Sequence, residues 1–309
     1  MAIVATDIFE LYQLLFGTTV IDGLRSQDIS PGINRGPLPV AGSLWSNMNA
    51  VNFQDPGISF STISVDKLLA LGTDTFATSG MAFATGAPLT AWEAKIADRG
   101  GYASGNVHRK TVFSHGLAVL GGIQVAQDGI AVASAAARAA YDGTNAAMVV
   151  TEASALPAAA GEVNAFTLGP TLIEGVALKL DTGWQFSSGM NIATVRASGD
   201  LIARTIHLQK AQGMQFVISL ETGRTLTEYG LTGAGITATV VFQLQKLSPT
   251  GTRVAAATAE HITLTVNHGT ITPGPISGPM GRKTSTIVVE PLYDGTNLPV
   301  VVSTAAAIT

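Results

Sequence analysis

The 309 residues carry 17 Lys and Arg against 21 Asp and Glu, a formal net charge of −4, with charged residues at only 12% and apolar residues at 46%. That balance excludes a charge-rich disordered chain and disfavours tight nucleic-acid binding, which needs clustered Lys and Arg. The absence of cysteine excludes disulfides and thiolate metal sites, and so few charges predict a surface buried in large part against other copies.

The opening stretch, MAIVATDIFELYQLLFG, has acids at Asp7 and Glu10 and no basic leader, unlike a signal peptide. Within it FELYQLLFG fits either a helix or a strand. No uncharged apolar run reaches the ~18 residues that a membrane span requires. PGISFSTIS (Pro56–Ser64) predicts a strand, and SVDKLLALG (Ser64–Gly72) predicts a short helix, with an early acid, Leu68, Leu69 and Leu71 on one side, and a closing glycine. IAVASAAARAAYDG (Ile130–Gly143) has the alanine content of a helix. A Pro/Ala/Gly stretch, Pro157–Gly161, reads as a linker. Beyond it, MQFVISL (Met214–Leu220), ITATVVFQLQKL (Ile236–Leu247) and HITLTVNHG (His261–Gly269) predict strands, and SPTGT (Ser248–Thr252) predicts a hairpin turn between two of them.

The two parts of the chain match in order. FGTTVIDG (Phe16–Gly23) lies over LGPTLIEG (Leu168–Gly175) at an offset of 168 − 16 = 152. PGIN (Pro31–Asn34) meets SGMN (Ser188–Asn191), and AGSL (Ala41–Leu44) meets SGDL (Ser198–Leu201), both at 188 − 31 = 198 − 41 = 157. Gly57 meets Gly213 at 156, His115 meets His268 at 153, and YDGTN recurs at Tyr141 and Tyr293, again 152 apart. Ordered matches whose offsets drift by a few residues indicate a tandem duplication with loop insertions. The expected domains are therefore residues 1–157 and 158–309. The pairing also settles Ile130–Gly143, because its partner TSTIVVEPLYDG (Thr284–Gly295) suits a strand and not a helix. In each copy the aspartate and glycine of YDGTN predict a turn into a last strand. Each half is expected to be an antiparallel β-sandwich or barrel with one short helix, the second from TGRTLTEYG (Thr222–Gly230).

Candidate chemistry is thin. His108 and His261 each stand seven residues before the matched His115 and His268. An odd interval along a strand puts the two rings on opposite faces, which favours a structural role over a metal site; the fifth histidine, His207, has no counterpart. Ser114 in FSHG becomes Asn267 in the second copy, an improbable fate for a nucleophile. GLAVLGG (Gly116–Gly122) lacks the G-x-G-x-x-G of a dinucleotide loop, and GPMGRK (Gly278–Lys283) lacks the context of a phosphate loop. Asp22 and Glu174 read as turn residues, and Trp45, Trp92 and Trp184 as core or interface anchors. No catalytic, cofactor-binding or metal-binding residue is assigned, and no enzyme activity is expected.

The strand order, the short helix after PGISFSTIS and QGMQFVIS, the glycine-marked turns and above all RASGDLIARTIHLQKAQGMQFVIS (Arg196–Ser219) resemble the tail tube (major tail) proteins of tailed bacteriophages. The resemblance covers both halves and matches members with a duplicated tube domain. It implies trimeric, pseudo-hexameric rings stacked into a hollow virion tail tube, made in the host cytoplasm. The implied partners are further copies of the chain and the tape-measure, terminator and baseplate proteins. Double-stranded DNA would pass without specific binding, and no membrane is involved. Alternatives are a baseplate hub, distal tail or capsid-decorating protein, and beyond these a surface adhesion or carbohydrate-binding module.

Overall fold

The structure is a computed structural model that describes residues 8–38, 48–97, 101–159, 161–178, 181–209, 213–221, 236–274 and 284–308. The first half begins with β1 (Phe9–Phe16), β2 (Thr19–Ile21), β3 (Leu24–Ser30), β4 (Ile33–Leu38), β5 (Met48–Gln54) and β6 (Gly57–Thr62). Two short helices follow, α1 (Val65–Leu69) and α2 (Phe76–Ser79). The half ends with β7 (Met81–Phe83), β8 (Leu89–Ala97), β9 (Gly101–Tyr102), β10 (His108–Phe113), β11 (Gly116–Ala126), β12 (Val132–Ala139) and β13 (Met148–Ser154). The second half starts with β14 (Ala165–Leu168), β15 (Leu172–Ile173), β16 (Val176–Ala177), β17 (Asp181–Ser187), β18 (Asn191–Val195) and β19 (Thr205–Gln209). It closes with β20 (Gln215–Leu220), β21 (Ile236–Leu247), β22 (His261–Pro273), β23 (Ser285–Pro291) and β24 (Val301–Ala306). The fold is mainly β, built on large antiparallel sheets.

FELYQLLFG forms a strand: β1 pairs with β2 and β8, and Tyr12 Oη donates to the Pro157 carbonyl at 3.3 Å. Its buried apolar side chains, Leu14 and Phe16, share one face of the strand, while Gln13 is buried on the other. The alanine-rich stretch is also a strand, β12, whose Ala133, Ala135, Ala137 and Ala139 face the core. Small side chains there leave room for α1, which lays Leu68 and Leu69 against the sheet. α1 ends before Gly72, which has φ +65°. The helix expected at Thr222–Gly230 lies outside the described residues. SPTGT does turn the chain, with Ser248 N–H donating to Thr252 O at 2.8 Å and Gly251 N–H to Ser248 O at 2.8 Å. It is not a simple hairpin turn, because irregular chain from Arg253 to Glu260 intervenes before β22.

The strand pairings of the two halves correspond. In the first, β3, β6, β12 and β11 are neighbours in that order; in the second, β17, β20, β23 and β22 are. Likewise β1 and β2 lead to β8, β10 and β13, while β14 and β15 pair with β21, then β22 and β24. The first half breaks between β10 and β11 at Ser114 and His115. The second runs through Asn267 and His268 within β22. The backbone hydrogen bonds follow suit: Ala140 N–H donates to His115 O at 2.9 Å, and Leu292 N–H to His268 O at 2.7 Å.

The repeated YDGTN is one turn made twice. Asp142 accepts from the N–H groups of Thr144 (2.8 Å) and Asn145 (2.6 Å) and from Asn145 Nδ2 (2.8 Å). Asp294 accepts from Thr296 (2.8 Å), Asn297 (2.7 Å) and Asn297 Nδ2 (2.8 Å). The following glycines, Gly143 and Gly295, take φ +97° and +92°. Donated hydrogen bonds favour the charged carboxylates. Those from the Asn145 side chain and backbone hold Asp142 well below its ordinary range, and those from the Asn297 backbone and side chain bring Asp294 to about 2.

The inward faces of both halves share one core cluster. In the first half, Phe16 packs on Phe60 at 6.2 Å between ring centroids. The second centres on Trp184, Phe186, Phe216 and Phe242.

Candidate functional site

The feature that joins the halves is an edge-to-edge strand pair. β11 meets β17 antiparallel, with Gly122 opposite Ser187 and Ala126 opposite Gly183, so one sheet runs from β16 to β3. Two glycines make the approach possible. A Cβ on Gly122 would sit 2.3 Å from the Phe186 carbonyl oxygen, and one on Gly183 would sit 2.4 Å from that of Val125. Buried Ser188 pins the end of the pair: its hydroxyl donates to Leu120 O, its own N–H reaches Gly121 O at 3.2 Å, and Met190 N–H donates to it at 3.2 Å. A second contact crosses nearby. The segment between β18 and β19 packs on the end of the first half, with Tyr141 N–H donating to Ala203 O at 2.8 Å and Gln54 N–H to Leu201 O at 2.7 Å. Arg196 pairs with Asp55 at 3.1 Å and lies 4.4 Å over the Phe53 ring. The sequence marks neither contact. GLAVLGG contributes a close-approach glycine, not a ligand loop.

The sheet turns one face to the core and the other outward, as the alternation along β12 and along β6 from Ile58 onward shows. The open face presents Ser59, Ser61, Ser134, Ala136, Gln124, Gln185, Ser187, Val217 and Ser219. Two shallow depressions of about 300 and 400 Å³ lie on it, sharing Ser61, Gly121 and Ser134 in their linings. Charge enters at Asp28, Arg138 and Glu290. Hydroxyls, amides and small side chains dominate. Among the described residues such a surface offers mostly weak hydrogen bonds, with Arg138 as an isolated base and no cluster of Lys and Arg to grip phosphate.

The histidines belong to the fold. The buried His108 Nδ1 accepts the Lys95 N–H at 3.0 Å, and the buried His261 Nδ1 accepts the Lys246 N–H at 3.0 Å. His261 also donates from Nε2 to Ala255 O at 2.8 Å, which ties down the irregular chain before β22. His115 is half-buried and His268 exposed; they do not meet the other pair. His261→Ala is expected to cost about 1–3 kcal/mol in urea unfolding, since it removes a fully buried ring and leaves two part-buried backbone hydrogen bonds unmade, and His108→Ala less within that range. Buried Asp22 accepts from the Ser64 hydroxyl and from Lys67 Nζ at 2.5 Å, fixing the start of α1. Its counterpart Glu174 is exposed and accepts the Thr239 N–H at 2.6 Å. Trp184 is buried, Trp92 lies under Lys110 at 5.1 Å, and Trp45 and Gly278–Lys283 lie outside the described residues. Among the described residues no group of three or more His, Asp or Glu is placed to hold a metal ion, and no helix is long and apolar enough to cross a membrane.

No protein-family model matches the chain, and a comparison with curated proteins finds no match.

Proposed function

We propose that this chain is a structural subunit of a phage-type tail tube, a tandem duplicate of one β unit whose copies associate head to tail into rings that stack around a hollow axis. One observation carries the reading. Two halves with corresponding strand pairings are joined edge to edge where β11 meets β17, so that one sheet runs across both. A head-to-tail joint closes into a ring when its repeated rotation completes a full turn without rise, and otherwise runs on as a filament. With two units per chain, three chains would give pseudo-six-fold symmetry. Closure would also remove exposed sheet edges, which are otherwise a liability. The open face then lines the lumen, where a surface poor in bases lets double-stranded DNA pass without holding it. Tape-measure, terminator and baseplate proteins would meet the ends of the stack in the virion tail. The same joint would serve a baseplate hub, distal tail or capsid-decorating protein, which need not stack. Negative-stain images of the purified chain decide: tubes of uniform diameter support the tube, whereas isolated rings or monomers favour the second reading.

A further inference from the structure

We infer that the outer edge of β3 and the apolar patch at Leu292 and Tyr293 are the two complementary sides of one joint between copies of this chain. This rests on the assembly proposed above and names the surfaces that make it. The warrant is the joint already present inside the chain, because each side of it has a counterpart in the other half that remains uncovered.

On one side of the internal joint stands β17, whose counterpart is β3. β17 is paired on both edges, by β20 and β11, whereas among the described residues β3 pairs with β6 alone and ends the sheet. Burial follows this difference. Met190, just past β17, is 8% exposed; Ile33, the matching residue past β3, is 41% exposed. Gln27, in the middle of β3, has both amide atoms buried and without a hydrogen-bond partner among the described residues. A strand laid along β3 would bring cross-strand side chains onto that face, within reach of the amide.

On the other side stand Ala140 and the half-buried Tyr141, whose N–H donates to Ala203 O in the segment that also carries Leu201. Ala140 is 0% exposed, while its counterpart Leu292 is 43% exposed and Tyr293 is 64% exposed. The backbone beneath them is held the same way in both halves, by the carbonyls of His115 and His268. The repeated scaffold is therefore present, and what is missing over the second copy of it is the neighbouring unit. The occupant is a second copy of this chain: its first half brings the free β3 edge to the exposed end of this copy's second half. The two surfaces lie at opposite ends of the duplicate, so the contact is heterologous and extends from chain to chain.

The experiment uses the full chain and three variants, followed by sedimentation velocity over a concentration series. Gln27→Pro and Asp28→Pro block the β3 edge, since one of two adjacent residues turns its N–H away from β6. The double substitution Leu292→Lys and Tyr293→Lys charges the exposed patch without disturbing the core. Circular dichroism selects the edge variant that retains the parent fold; if neither does, the patch variant decides alone. Each blocked surface is expected to raise the concentration needed for association by about tenfold or more. An equimolar mixture of edge and patch variants should give a 1:1 dimer and nothing larger, because one intact joint remains. Parent-like assembly by the patch variant, a mixture that stays monomeric or assembles fully, or a parent chain monomeric at its highest soluble concentration overturns the inference. Closed parent rings that never stack would remove the tube reading and leave this joint. Tubes that persist in every variant would remove the joint and leave the tube.

Discussion

Phe216→Ala is expected to destabilise the chain by about 3–5 kcal/mol, measured by urea or guanidinium unfolding. The ring is fully buried in β20 and stacks on Phe242, with centroids 3.9 Å apart and planes 8° from parallel. It also meets Phe186 at 4.5 Å and Trp184 at 6.0 Å, so its removal strips contacts from three aromatic neighbours at once. β20 lies between β17 and β23, pairs with both, and cannot shift inward to fill the space without breaking one ladder. The counterpart in the first half provides the comparison. Phe60 is nearly as buried but meets Phe16 in a looser, tilted arrangement at 6.2 Å, 50° from parallel. Its neighbours on β12 are alanines, so Phe60→Ala is expected near the lower end of the same range. A loss for Phe216→Ala smaller than that for Phe60→Ala would show that the aromatic stack is not the centre of the second core.

How much of this could be read from the chain depends on how local the governing force is. β20, β21 and β22 are legible because β-branched and aromatic residues recur between glycine, proline and asparagine, and the side-chain period is set by neighbouring residues. β12 is legible only by comparison. Alone, its alanines favour a helix, but tertiary packing against α1 demands small side chains on one face of a strand, and β23 shows the strand preference undisguised. FELYQLLFG remained open because its apolar positions satisfy both periods; pairing with β8 and β2 decides it. α2 was not anticipated: FATS is four residues long and makes no helical pattern. The histidine spacing is visible in the sequence, yet its meaning is not, since the partners of His108 and His261 are backbone groups of Lys95 and Lys246 on neighbouring strands. The internal joint is the hardest feature to see. Which edge meets which is a choice among sheet edges, and Gly122 and Gly183 look like any other strand glycines until the facing carbonyl is known.

That facing carbonyl makes Gly122→Val the second large effect. The cost of a side chain at a sheet glycine depends on whether the atom it meets can move. At Gly121 the nearest atom to a new Cβ is the Ser134 hydroxyl at 2.9 Å, which can rotate, so Gly121→Ala should cost under about 1 kcal/mol. One residue on, the obstacle is the Phe186 carbonyl oxygen at 2.3 Å, part of the β17 backbone and held by the β20 ladder behind it. Relief requires β11 and β17 to separate. The substitution should therefore cost about 3 kcal/mol or more, at or above the upper end of overpacking effects. Its character should differ from that of Phe216→Ala. Each half retains its own β-sheet pairings when the joint opens, so unfolding should change from one transition to two, with the halves uncoupled. Amide exchange should accelerate first at Gly122–Ala126 and along β17, while β6 and β12 stay protected. A Gly122→Val protein that unfolds in one transition with unchanged protection along β17 would mean that the shared core, not the strand pair, holds the two halves together.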